Sequence, residues 1–227
     1  MSQKHLLIFI ALTFISSISI AKHDWVIDFE SLMATQNEQF KKSGLSLNDN
    51  SNYDYWQIQN PIYNGLATGR TKSDISREEY SQLLLDVWEN KFEYELLKDA
   101  KIRIQAMRIY LNFRGRCLDV SQYYEDARTF IEKVSELDGV TVPEIFGLRG
   151  AIGEAQDVEF LINSFLTSDD RVVLKNALRT LEKIQNRELV VSTLLRRIDD
   201  VKQNEKKQQL TDLANRIQSF TSFGTCS

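Results

Sequence analysis

Histidine is almost missing from this chain of 227 residues: His5 and His23 are the only two, both near the start. A body without imidazole excludes Ser-His-Asp and Cys-His nucleophilic catalysis, and with them the zinc sites that use His ligands. Cysteine is equally scarce. Cys117 and Cys226 are too few for an all-cysteine zinc site. No glycine-rich phosphate loop of either common pattern is present, and no Asn-x-Ser/Thr glycosylation acceptor occurs. Positive charge falls short as well, with 28 Lys+Arg against 32 Asp+Glu and a net charge of −4. Nucleic-acid binding rests on neutralising phosphates, so nucleic acid is excluded as the expected partner. Basic partners suit the balance better.

Long apolar runs are also few. One covers Leu6 to Ile15, after a start that carries Lys4 and before the small-residue pattern Ser19-Ile20-Ala21. That order predicts a secretory signal peptide over residues 1–21, cleaved before Lys22. The run is too short for a spanning helix, which needs about 20 apolar residues, and no later segment is apolar enough to span. Removing residues 1–21 makes the chain one charge more negative. Export, with no glycosylation acceptor, points to a bacterial periplasm, with release from the cell as the alternative. In an oxidising compartment Cys117 and Cys226 are expected to form a structural disulfide rather than a free catalytic thiol. Such a bond would close a loop of roughly 110 residues, worth ~4–5 kcal/mol by chain entropy.

What remains reads as helix throughout, with no convincing strand alternation. Asp24 is placed to cap a first helix with the stripe Trp25, Phe29, Leu32 and Met33, ending at Gly44. Residues 43–75 break the pattern with Gly44, Gly65, Gly69, Pro61 and an Asn-rich cluster, and predict a long irregular loop. Ser76 with Glu79, and Thr141 with Glu144 behind Pro143, each make a capping box. Between them, Ile102 to Phe113 and a segment from Ser121 read as further helices. Val158, Leu161, Ile162 and Phe165 recur 33 positions later as Val191, Leu194, Leu195 and Ile198. A period in the thirties built from helix pairs is the signature of an α-solenoid.

The segment Leu148-Arg149-Gly150-Ala151-Ile152-Gly153-Glu154-Ala155-Gln156-Asp157 resembles the junction of short HEAT repeats, as does Asp169-Asp170-Arg171-Val172. The resemblance covers residues 121–220. It implies an all-α fold of HEAT/armadillo-like helix pairs, with small residues for close packing, an Asp capping the second helix and an Arg after it. The chain then divides into a helical extension over 22–120 and repeats plus a tethered tail over 121–227.

Glu30-Ser31 resembles the Glu-Ser pair of lytic transglycosylases, helical cell-wall enzymes in which that Glu is the catalytic acid. Those enzymes continue with Gly-Leu-Met-Gln, where this chain has Met33-Ala34-Thr35-Gln36-Asn37. A surface glutamate is the competing reading. Asn48-x-Asn50-x-Asn52 suggests a calcium loop, but Tyr53 stands where such a loop has Gly and Gln59 where it has Glu.

Tyr53, Asp54, Tyr55 and Trp56, followed by Tyr63 and Arg70, have the composition of a recognition surface; alternatively, these rings cap the helical core. Export without catalytic parts implies a periplasmic protein-binding inhibitor with no cofactor. Its expected form is an immunity protein that blocks the active site of a secreted antibacterial effector, for example one delivered by type VI secretion. The alternatives are a cell-wall-cleaving enzyme using Glu30 and an envelope scaffolding protein.

Overall fold

Local capping chemistry decides where the helices start and stop. In the computed structural model, residues 22–49, 51–69, 75–114, 118–137 and 140–219 are described. Among them the regular structure is entirely helical. Helix α1 is Asp24–Ser43, α2 Tyr53–Gly69, α3 Arg77–Trp88, α4 Ala100–Arg114 and α5 Tyr124–Val134. Then follow α6 Val142–Ile152, α7 Ala155–Thr167, α8 Arg171–Leu181, α9 Arg187–Ile198 and α10 Asn204–Ser219. Short 3-10 turns at Glu95–Lys98 and Ser121–Tyr123 lead into α4 and α5.

Several of these ends are where cap chemistry puts them. Gly44, at φ 71°, closes α1 in the left-handed conformation that suits glycine. Thr141 and Glu144 form the reciprocal box that opens α6. Asp170 caps α8 by accepting from the Val172 amide at 2.6 Å, and Arg171 follows it. The first helix differs from expectation. His23, not Asp24, is its cap: Nδ1 accepts from the Trp25 amide at 3.0 Å. The His23 amide in turn donates to Glu79 at 2.6 Å. The Ser76 hydroxyl still accepts from the Glu79 amide, but the Glu79 carboxylate anchors the start of α1 instead of completing a box.

The larger difference lies in residues 43–75. The predicted loop is mostly the helix α2, with Pro61 inside it. Tyr55, Gln59, Ile62, Leu66 and Gly69 are its buried positions, a spacing of four and three that packs one face against the core. Two glycines read as breakers serve contact instead. A Cβ on Gly65 would stand 2.4 Å from the Phe29 ring, so only glycine lets α2 approach α1 there.

Two hydrophobic clusters result. The first gathers α1 to α5 around α4, whose Ile102, Ile104, Ala106, Met107 and Leu111 are all buried. A helix apolar on most sides belongs at the centre. The second gathers α7 to α10 around Phe165, Leu181, Leu194 and Leu213. They meet on α6, which gives Leu148 and Ile152 to the first and Phe146 to the second. Across this seam α6 touches α4, α5, α7 and α8. The Gly150 position lies against Thr180 of α8, with 2.3 Å from an added Cβ to Cγ2. The offset of 33 holds where Asp157, Leu161 and Phe165 map onto Val190, Leu194 and Ile198, all buried. It fails at Val191, which is half-buried, and at Leu195, which is half exposed. Helix α9 is therefore rotated about its axis relative to α7. The fold is all-α.

Candidate functional site

The residues singled out around Tyr53 are sorted by the phase of α2. Tyr53 is 70% exposed and Trp56 46% exposed. Their rings stack at 6.0 Å with 23° between planes, and Asp54 beside them is exposed. Asn52 fixes this first turn, its Oδ1 accepting from the Asp54 amide at 2.8 Å. Tyr55, one residue on, is wholly buried. It packs edge-on against Phe40 at 5.8 Å and is a core residue rather than a contact residue. Tyr63 is half-buried, its hydroxyl raised above the ordinary value by burial while the Arg108 charge pulls the other way. It lies two turns further along α2 and is not part of the exposed pair. Arg70, Cys117 and Cys226 lie outside the described residues, as do residues 1–21.

Beneath the exposed pair is a junction that sequence reasoning missed. Asp99, 4% exposed, stands just before α4 and caps it: Oδ1 accepts from the Lys101 amide at 2.7 Å and the Ile102 amide at 3.3 Å. The same carboxylate accepts from the Tyr55 hydroxyl and from Gln59 Nε2 at 3.2 Å. Burial raises its carboxyl above the usual carboxylate value, against the pull of these hydrogen bonds. Burial and the Asp99 charge likewise push the Tyr55 hydroxyl up. One buried acid thus fixes the angle between α2 and α4, and with it where Tyr53 and Trp56 point.

At the same end of the molecule a hollow of about 270 Å³ opens beside Asp99. The turn at Leu47–Asn48, the start of α4 and the end of α5 enclose it. Its floor is apolar (Phe130, Val134, Leu137, Val140) and its rim carries Lys98, Lys101, Arg103 and Lys133. Arg103 packs over the edge-to-face pair of Trp88 and Phe130, its guanidinium carbon 4.5 Å from the Phe130 centroid and 5.4 Å from that of Trp88. Its Nε donates to the Trp88 carbonyl at 2.8 Å. Burial lowers its pKa. Lys98 pairs with Glu95 at 2.7 Å.

Other candidates are occupied by structure. Both Glu30 oxygens accept from Lys22 Nζ, at 2.7 and 2.9 Å. It lines a hollow of about 390 Å³ with Glu78, Glu79 and Asp86, of which Glu79 holds His23 and Asp86 accepts from Gln82 at 2.7 Å. A wider hollow of about 670 Å³ lies between the α6–α7 and α8–α9 turns. Its Glu154 is engaged by Arg128 and its Asn186 accepts from the Leu189 amide at 3.1 Å. Around the suggested calcium loop, Asp49 Oδ2 accepts from the Ser46 amide at 2.7 Å and its hydroxyl at 2.9 Å. No group of three metal-ligating side chains occurs among the described residues. No helix among them is long and apolar enough to cross a membrane.

Comparison with protein-family models, with curated proteins and with solved structures finds no match to this chain.

Proposed function

We propose that this chain is an exported binding protein that inhibits another protein sterically. In its concrete form it is a periplasmic immunity protein covering the active site of a secreted antibacterial effector. The observation that carries the reading is the Tyr53–Trp56 pair, two large stacked rings left in solvent on the first turn of a helix anchored from below. Aromatic side chains of this kind supply large contact area at small entropic cost and dominate interface energetics. The leader-like residues 1–21 support export. The scarcity of histidine supports a role without nucleophilic chemistry.

The test uses exported proteins encoded beside this chain, mixed with it and measured by calorimetry and size-exclusion chromatography. A cognate partner should form a stable complex, and Tyr53→Ala and Trp56→Ala should each weaken it about thirtyfold or more, and together by no less, since hot-spot truncations cost ≥ ~2 kcal/mol each. Helicity and melting should stay unchanged, because both rings lie outside the core. Wild-type affinity in the folded double variant removes the pair from the site.

A further inference from the structure

We infer that the cationic hollow between the Leu47–Asn48 turn, the start of α4 and the end of α5 docks an acidic, apolar-flanked segment of the protein partner. The inference rests on the protein-binding reading and gives that partner a chemistry. Arg103 is the central observation. A guanidinium offers five N–H donors, and here one is used, on the Trp88 carbonyl. Among the described residues no carboxylate lies within ion-pairing distance of it. Its Nη groups are not among the buried atoms left without a partner, so they open to solvent at the hollow it lines. Trp88 and Phe130, themselves edge-to-face at 4.8 Å, together back the guanidinium and hold it in place. A fixed, planar, unpaired guanidinium beside an open space is arranged for bidentate recognition of a carboxylate.

The surroundings agree. Lys101 and Lys133, also on the rim, make no ion pair among the described residues, though the Lys101 charge acts on Asp99, whereas Lys98 shares its charge with Glu95. The acid that faces the hollow, Asp99, is turned inward and saturated by Tyr55, Gln59 and two amides. A net-acidic chain therefore presents a locally positive rim. The floor beneath it is apolar, and Leu137 is 50% exposed there. Charge alone would suit any anion; the apolar floor selects a segment that places aliphatic or aromatic side chains between its carboxylates. The expectation of basic partners, drawn from net charge, is reversed locally.

The experiment uses the full chain and a short fluorescein-labelled peptide alternating glutamate with leucine, read by fluorescence anisotropy at low salt. Saturable binding is expected, with at least tenfold weakening by Lys101→Gln with Lys133→Glu; Lys133 is exposed and Lys101 half-buried, and neither belongs to the apolar core. Arg103→Met should weaken it further. If that variant melts early, the lysine pair decides alone. The groove is overturned if the peptide does not saturate, if changing the two lysines does nothing, or if a matched lysine–leucine peptide binds as well. It is also overturned if phosphatidylcholine vesicles containing phosphatidylserine bind this face while the peptide does not. None of these outcomes touches the Tyr53–Trp56 test, so the groove and the protein-binding reading fail separately.

Discussion

Replacing Asp157 should unfasten one half of the molecule from the other. Asp157 is fully buried in the first turn of α7. It accepts from Arg128 of α5, Nη2 at 2.7 Å and Nε at 3.3 Å, and from Arg149 Nη1 of α6 at 3.1 Å. Arg128 is 6% and Arg149 8% exposed. Burial alone would lower the Arg128 pKa, but its hydrogen bonds to Asp157 and Glu154 and their charges outweigh it and hold it above the ordinary value. Removing one partner of such a network leaves buried charge uncompensated, at a cost of ~3–5 kcal/mol. In Asp157→Asn, Arg128 keeps Glu154 and Arg149 keeps Glu132 at 3.4 Å. Both acids are substantially exposed, so they compensate only in part. The loss should fall near the lower end, about 3 kcal/mol, or roughly 6–12 °C in melting temperature for a chain of this size.

The assay follows from where the fluorophores lie. Trp25, Trp56 and Trp88 are the only tryptophans, and all sit on α1, α2 and α3. Fluorescence therefore reports the first cluster alone, while far-ultraviolet dichroism reports every helix. In urea the two signals should coincide for wild type. In Asp157→Asn the dichroism should start to fall first, as α7 to α10 detach. Changing Asp157→Leu together with Arg128→Met and Arg149→Met should recover most of the stability, because an apolar replacement of a whole buried network is often neutral or better. It would also remove the buried Arg149 Nε, which has no hydrogen-bond partner. A change within ~0.5 kcal/mol for Asp157→Asn, the range of ordinary surface substitutions, with coincident transitions, would refute the seam argument.

Two further outcomes test single sites. Gly150→Ala should cost ~1–3 kcal/mol by overpacking against the β-branched Thr180, whereas Gly44→Ala meets nothing within 4 Å and should cost only the backbone term, roughly 1–2 kcal/mol at its positive φ; no measurable cost at Gly150 in urea melts would contradict the packing account. Asp99 carries a raised carboxyl, so its folded state holds the proton more tightly than the unfolded chain. Its contribution is then full below the ordinary carboxylate value and is lost as pH rises through the folded value. The stability advantage of wild type over Asp99→Asn should therefore shrink from pH 3.5 upward in calorimetric scans; an advantage that grows with pH would show the carboxylate to be stabilised rather than penalised by its site.

The features legible in the sequence are those set by nearest neighbours. Ser76, Thr141, Asp170 and Gly44 act on amides or dihedrals within a few residues, so their roles survive into the fold. Helix α2 was not legible because Gly65, Gly69 and Pro61 look alike as breakers whatever their use. Gly65 and Gly69 are there for Phe29, Trp25 and Tyr80, contacts far away in sequence. The spacing of Tyr55, Gln59, Ile62 and Leu66 was the available signal, masked by the polar Gln59 among the inward positions. Asp157 and Arg149 stood in the HEAT-like segment, which marks an Asp as a helix cap and gives no sign of a buried pair between them. Their partner Arg128, nearly thirty residues earlier, has no local mark.

The same limit shaped the candidate site. Tyr53, Tyr55 and Trp56 are equivalent by composition, and only helix phase separates the ring that reaches Asp99 from the two that face solvent. That separation links the two halves of the functional reading. Asp99 is one side chain with two structural duties: it caps α4, which carries Lys101 and Arg103, and it holds Tyr55, whose helix carries Tyr53 and Trp56. Aromatic pair and cationic rim are thereby fixed to a common buried carboxylate. Loosening it should disturb both surfaces together, even though Asp99 itself is closed off from any partner. Asp99→Asn keeps the shape and most of the hydrogen bonds, so its effect on binding separates positioning from contact. A partner that grips both surfaces should lose affinity to Asp99→Asn through geometry, with the variant still folded. A partner that grips the aromatic pair alone should be held as well by a variant in which α4 shifts and α2 does not.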